Sequence, residues 1–86
     1  MKSAAAHLSG EYMVVNEAFL REKARRDDPR HVFYEVLLGE SSYESYLAKV
    51  GHLWVEVASH PSGSISGRME IKYCRDRGWI EDKKAN

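Results

Sequence analysis

The sequence is poor in cysteine, in long apolar runs and in net charge, and each shortage excludes something. Cys74 is the single cysteine among 86 residues, so no intramolecular disulfide forms and no cysteine cluster is available for a structural zinc. A reducing, cytoplasmic setting is therefore expected. No stretch approaches the roughly 18–20 apolar residues that a spanning helix needs, and no membrane partner is expected. The stretch Met1–Leu8 turns polar at Ser9, Gly10 and Glu11, which leaves its apolar run too short for the core of a secretion signal. Lys plus Arg and Asp plus Glu number 13 each, so bulk charge offers no grip on nucleic acid or on an acidic bilayer.

What is present suits a small globular chain. Hydrophobic residues make up 43% and charged residues 30%, with two Trp, five Tyr and two Phe as bulky core material. A chain of this length supports one domain, buries about 60% of the surface its unfolded form exposes, and gains from association into a small oligomer. No repeat or linker divides it, so residues 1–86 read as a single domain, with 1–9 and 81–86 expected to fray.

Hydrophobic spacing and punctuation set out the elements. Glu11-Tyr12-Met13-Val14-Val15 has strand content and precedes Asn16, a suitable cap for a helix over 17–26; one continuous helix from Glu11 is the rival reading. Asp28 and Pro29 open a second helix to Leu38, apolar almost all round and so expected to be central, with Gly39 as a left-handed terminator. Ser41 and Glu44 fit a capping box before a third helix to Val50. Leu53 to Val57 alternates as a strand should, with Leu53, Val55 and Val57 on one face. His60 to Ser64 reads as a loop. A last helix runs from Ser66 to Arg77, ends at Gly78, and returns Trp79 and Ile80 as an apolar anchor. The expected fold is α+β and helix-rich: about four short helices with a two-stranded antiparallel ribbon pairing 11–15 with 53–57. An all-α bundle is the alternative.

The last helix holds the candidate binding residues. At 100° per residue, Ile65, Met69 and Tyr73 form one apolar arc, and Gly67, Ile71, Cys74 and Gly78 form another. The small-residue arc allows a neighbouring backbone to approach and is placed against the core. Arg68, Lys72 and Arg75 make a cationic stripe between the two arcs. With Arg77 alongside, Arg68, Met69, Lys72, Tyr73, Arg75 and Trp79 combine the residue types that anchor interfaces.

Catalytic and metal constellations are weak. His7, His31, His52, His60 and Cys74 lack the spacing of a zinc site, so no metal or cofactor is expected. Cys74 has basic neighbours that would favour a thiolate, but mid-helix burial opposes it. The run Ser62 to Arg68 is glycine- and serine-rich without a phosphate-loop fingerprint. Segment 53–59 is too apolar for a recognition helix. The reading is of a small non-enzymatic regulatory or adaptor protein, an inhibitor among the roles it allows. It would bind a protein partner with an acidic patch through the last helix. A DNA-binding regulator of helix-turn-helix-like type, using the same basic helix face, is the alternative.

Overall fold

The computed structural model describes residues 8–26 and 28–83. In chain order they form β1 (Glu11–Val14), α1 (Glu17–Arg25), α2 (His31–Gly39), α3 (Tyr43–Tyr46), β2 (Trp54–Glu56), β3 (Ser64–Ser66), α4 (Gly67–Asp76) and β4 (Ile80–Lys83). The helix-rich α+β class holds. Residues 11–14 are a strand, which removes the continuous-helix rival and the all-α bundle.

The expected ribbon is corrected in its pairing, because there are two ribbons. β1 pairs antiparallel with β4, Tyr12 facing Asp82 and Val14 facing Ile80. β2 pairs antiparallel with β3, Trp54 facing Ser66 and Glu56 facing Ser64. The turn between β2 and β3 is tight enough to join neighbouring strands: Gly63 stands at φ +80°, and the Val57 amide donates to the Gly63 carbonyl at 3.0 Å. Residues 81–83, placed in a fraying tail by sequence, are strand instead; 84–86 and 1–7 lie outside the described residues. Leu8, assigned to the other fraying end, is buried.

Local chemistry explains most boundaries. The Asn16 side chain accepts from the Phe19 amide at 3.1 Å and starts α1. Asp28 acts one turn earlier than expected. Its carboxylate accepts from the Arg30 amide at 2.8 Å and its carbonyl from the His31 amide at 2.8 Å, so residues 28–30 form a turn and α2 begins at His31. Gly39 stays helical, and α2 ends at Glu40 in extended geometry rather than at a left-handed glycine. Ser42, not Ser41, caps α3, its hydroxyl accepting from the Ser45 amide at 3.1 Å. Ser42 is held extended for that task by its bridge to Glu11. Beyond Tyr46 the helix widens into a π-helical turn, Leu47–Gly51, a rare geometry that tertiary packing must stabilise.

The core is built around α2. Phe33, Tyr34 and Leu37 of α2 are buried with Leu20, Tyr12, Tyr43, Tyr46, Val50, Ile71, Cys74 and Ile80. Four of these are tyrosines, and each finds an acceptor, as a buried hydroxyl must. Tyr12 donates to the Leu37 carbonyl at 2.6 Å, Tyr46 to the Gly67 carbonyl at 2.8 Å and Tyr43 to Asp82 at 2.5 Å. Tyr34 donates to the Glu70 carboxylate. The start of α4 comes so near the π-helical turn that a Cβ on Gly67 would stand 2.0 Å from the Val50 carbonyl oxygen. The small-residue arc thus meets a backbone, as its composition implies.

Candidate functional site

The site is assembled where α4 ends. The Ser66 hydroxyl starts this helix, accepting from the Met69 amide at 3.2 Å. Gly78 stops it in the left-handed conformation at φ +80°. The Gly78 amide donates to the Arg75 carbonyl at 3.1 Å and the Trp79 amide to the Cys74 carbonyl at 2.9 Å, the paired bonds of a Schellman motif. That motif turns the chain so that Trp79 folds back beside the helix. The Trp79 carbonyl then accepts from the Val15 amide at 2.9 Å, which holds the corner to the residue before the α1 cap.

Three rings meet at this corner. Trp79 contacts Tyr73 edge-on, centroids 5.5 Å apart and planes at 85°. On its other flank Trp79 meets Phe19 of α1 at 4.9 Å and 67°. Two cations lie over the rings: the Lys23 ammonium is 4.9 Å from Trp79 and 5.3 Å from Phe19, and the Arg77 guanidinium is 5.5 Å from Tyr73 and 5.9 Å from Trp79. Tyr73 remains 46% exposed, Phe19 38% and the neighbouring Met69 37%. The arrangement offers water a semi-apolar surface with positive charge fixed upon it. Such cation–ring contacts are worth about 0.5–1 kcal/mol when exposed and more once a partner excludes water.

The residues expected from the sequence divide here. Tyr73 and Trp79 touch, with Met69 one turn before Tyr73. Arg68 is exposed and makes no ion pair or hydrogen bond with the described residues. Lys72 bonds Asp76 at 3.0 Å. Arg75 turns the other way and grips Asp82 of β4 through two bonds, 3.0 and 2.9 Å; this guanidinium, near a carboxylate that also takes the Tyr43 hydroxyl, joins α4 to the β1–β4 ribbon. Two of the three stripe cations are therefore engaged within the molecule.

Sequence reasoning overlooked Phe19 and Lys23, which reach the site only because β1 and the α4 corner are joined. It also overlooked Glu70, whose signal was available: Glu70 lies four residues before Cys74 and so shares the inward face. Glu70 is 4% exposed and its carboxylate accepts from Tyr34. Burial, with Glu70 adding to it, pushes the Cys74 thiol up to about 12, which removes thiolate chemistry near neutral pH. Trp54, 59% exposed on β2, is a further outward aromatic.

Beside the ring cluster a groove of about 270 Å³ is lined by Arg30, His60, Ile65, Met69, Glu70 and Tyr73. Arg30 is closed upon Asp28, its Nε 3.1 Å from Oδ1 and its Nη2 2.9 Å from Oδ2. This pairing holds the Asp28 carboxyl down at about 2. His60 is tied through Nδ1 to the Ser62 hydroxyl at 2.8 Å.

Among the described residues no group of three or more His, Cys, Asp or Glu could hold a metal ion, and no helix is long and apolar enough to cross a membrane. No protein-family model, no curated protein and no solved structure matches this chain, so the functional reading rests on this geometry.

Proposed function

We propose that this chain is a small non-enzymatic regulatory or adaptor protein that binds another protein through the corner formed by α4, Trp79 and Phe19. The observation that carries the reading is the half-exposed ring cluster of Phe19, Tyr73 and Trp79 with Lys23 and Arg77 fixed over it. Rings of this size supply most of an interface's affinity when covered. The two cations, with Arg68 nearby on the same helix, favour a partner whose apolar patch is bordered by acidic residues. Inhibition of a larger enzyme is one task such a surface performs. The ion pairs of Lys72 and Arg75 argue against a phosphate backbone as the ligand, since they withdraw cations that would otherwise displace counterions.

The test compares two variants in affinity capture from the native host, with bound proteins quantified. Replacing Tyr73 and Arg77 together by Ala is expected to weaken capture of a given partner by about 2 kcal/mol or more, roughly 30-fold, while far-UV circular dichroism stays unchanged. Arg75→Ala, on the opposite side, is expected to leave capture within about threefold. Equal losses from both variants would remove the ring corner as the binding surface.

A further inference from the structure

Glu70 poses a problem that the ring corner does not answer. A carboxylate that is 96% buried by the 4% exposure of its residue is costly unless its oxygens are satisfied. Oε2 accepts from the Tyr34 hydroxyl. Oε1 has no hydrogen-bond partner among the described residues, and Glu70 is one of the residues lining the groove with Arg30, His60, Ile65, Met69 and Tyr73. Among the described residues no ion pair reaches it, and Arg30 is closed on Asp28 through both ends of its fork. The Lys23 ammonium lies over the Tyr34, Phe19 and Trp79 rings and forms no salt bridge among the described residues. Arg30 feels the charge of Glu70 after that of Asp28, but it makes no hydrogen bond or ion pair with Glu70, so Oε1 is the acceptor left open among the described residues.

We propose that this groove receives the guanidinium of an arginine side chain from a protein partner, with Glu70 Oε1 as the acceptor. The walls suit that occupant. Ile65 and Met69 offer apolar surface for the methylene stem, and the Tyr73 ring, which already carries the Arg77 guanidinium at 5.5 Å, closes the groove on its side. Guanidinium is weakly hydrated and so enters a partly desolvated pocket at less cost than an ammonium. The site goes beyond the ring corner, with which it shares Met69 and Tyr73. Its acceptor belongs to the inward face of α4, whereas Phe19 and Trp79 do not line it.

The probe is N-acetyl-L-arginine methylamide, with the citrulline analogue as a neutral control of the same shape, titrated into the ¹⁵N-labelled chain. Saturable amide shifts at Met69, Glu70 and Tyr73 are expected with a millimolar dissociation constant, and binding of the citrulline analogue at least about tenfold weaker. Glu70→Gln keeps an acceptor for Tyr34 and is expected to erase the preference for the charged probe. Phe19→Ala, which removes no residue that lines the groove, is expected to keep it. Equal affinity for both probes in the unaltered protein would overturn the proposal, and so would an absence of saturable shifts. Either result is read on the parent chain and stands even if Glu70→Gln fails to fold.

Discussion

Two aromatic regions of this molecule use similar residues to opposite ends. In the interior, Tyr12, Tyr34, Tyr43 and Tyr46 are buried and each hydroxyl has an acceptor on another element. At the α4 corner, Tyr73 and Trp79 with Phe19 remain part-exposed, and their polar companions are cations rather than acceptors. The first group joins elements: a hydroxyl from β1 to α2, from α3 to α4, from α3 to β4. The second joins α1 to the end of α4 while keeping ring surface facing water. Ring content alone separates neither role. What separates them is whether the surrounding groups complete the ring's hydrogen bonding or leave its faces open.

The comparison can be broken most forcefully with its two phenylalanines. Phe33 is 0% exposed and Phe19 38%. Phe33→Ala is expected to cost about 3–5 kcal/mol, because its cavity is enclosed on all sides. That is a large share of the total for a chain this short, at about 0.05–0.15 kcal/mol per residue. Phe19→Ala loses one edge-on ring contact and the Lys23 ammonium over its ring, and is expected to cost about 1 kcal/mol. Urea denaturation of both variants measures the difference. Comparable midpoints would mean that the corner is part of the core, and the distinction between scaffold and surface would fail.

Gly67 sharpens the same comparison from the backbone. Its Cβ would meet the Val50 carbonyl carbon at 2.7 Å as well as the oxygen, and neither is the mobile end of a side chain. Gly67→Ala must therefore push α4 away from the π-helical turn, at about 3 kcal/mol. The shift would also stretch the Tyr46 bond to Gly67 while leaving Tyr73 and Trp79 on their own end of the helix. Thermal melts should show the loss. The Trp79 fluorescence maximum, read against a Trp54→Phe background, should stay within a few nanometres of the parent, and a large red shift would show that the corner depends on this contact.

Much of this was legible in the sequence, for identifiable reasons. The apolar girth of α2, the Asn16 cap, the inward small residues and the Gly78-Trp79 return are all local signals, and local signals survive without tertiary knowledge. Neither ribbon's pairing was legible: 11–14 and 54–56 are expected to pair with each other and instead pair with 80–83 and 64–66. β4 reads Ile80-Glu81-Asp82-Lys83, with polar residues on both faces, and β3 is a three-residue strand around Ile65; neither carries a period long enough to recognise. Pairing is a tertiary fact, and with it went Phe19 and Lys23 of the site. Arg75 was misjudged as part of a free stripe because its carboxylate partner, Asp82, belongs to that same unforeseen strand. Glu70 shows the reverse case, since its inward position follows from helical spacing but its charge invites assignment to the surface.

The finest cut removes a single oxygen from each region. Tyr46→Phe keeps the ring and leaves the Gly67 carbonyl, buried at the α4 start, without its 2.8 Å donor. The expected cost is about 1 kcal/mol, the usual value of a neutral hydrogen bond whose partner stays buried. The Tyr73 hydroxyl makes no hydrogen bond with the described residues, and its ring is 46% exposed. Tyr73→Phe is accordingly expected to stay within about 0.5 kcal/mol of the parent and to retain the ring face that Arg77 covers. Partner capture should follow the ring and not the oxygen, so Tyr73→Phe should bind where Tyr73→Ala does not. A Tyr73→Phe variant that melts as early as Tyr46→Phe would place that hydroxyl in the scaffold and erase the line drawn between the two regions.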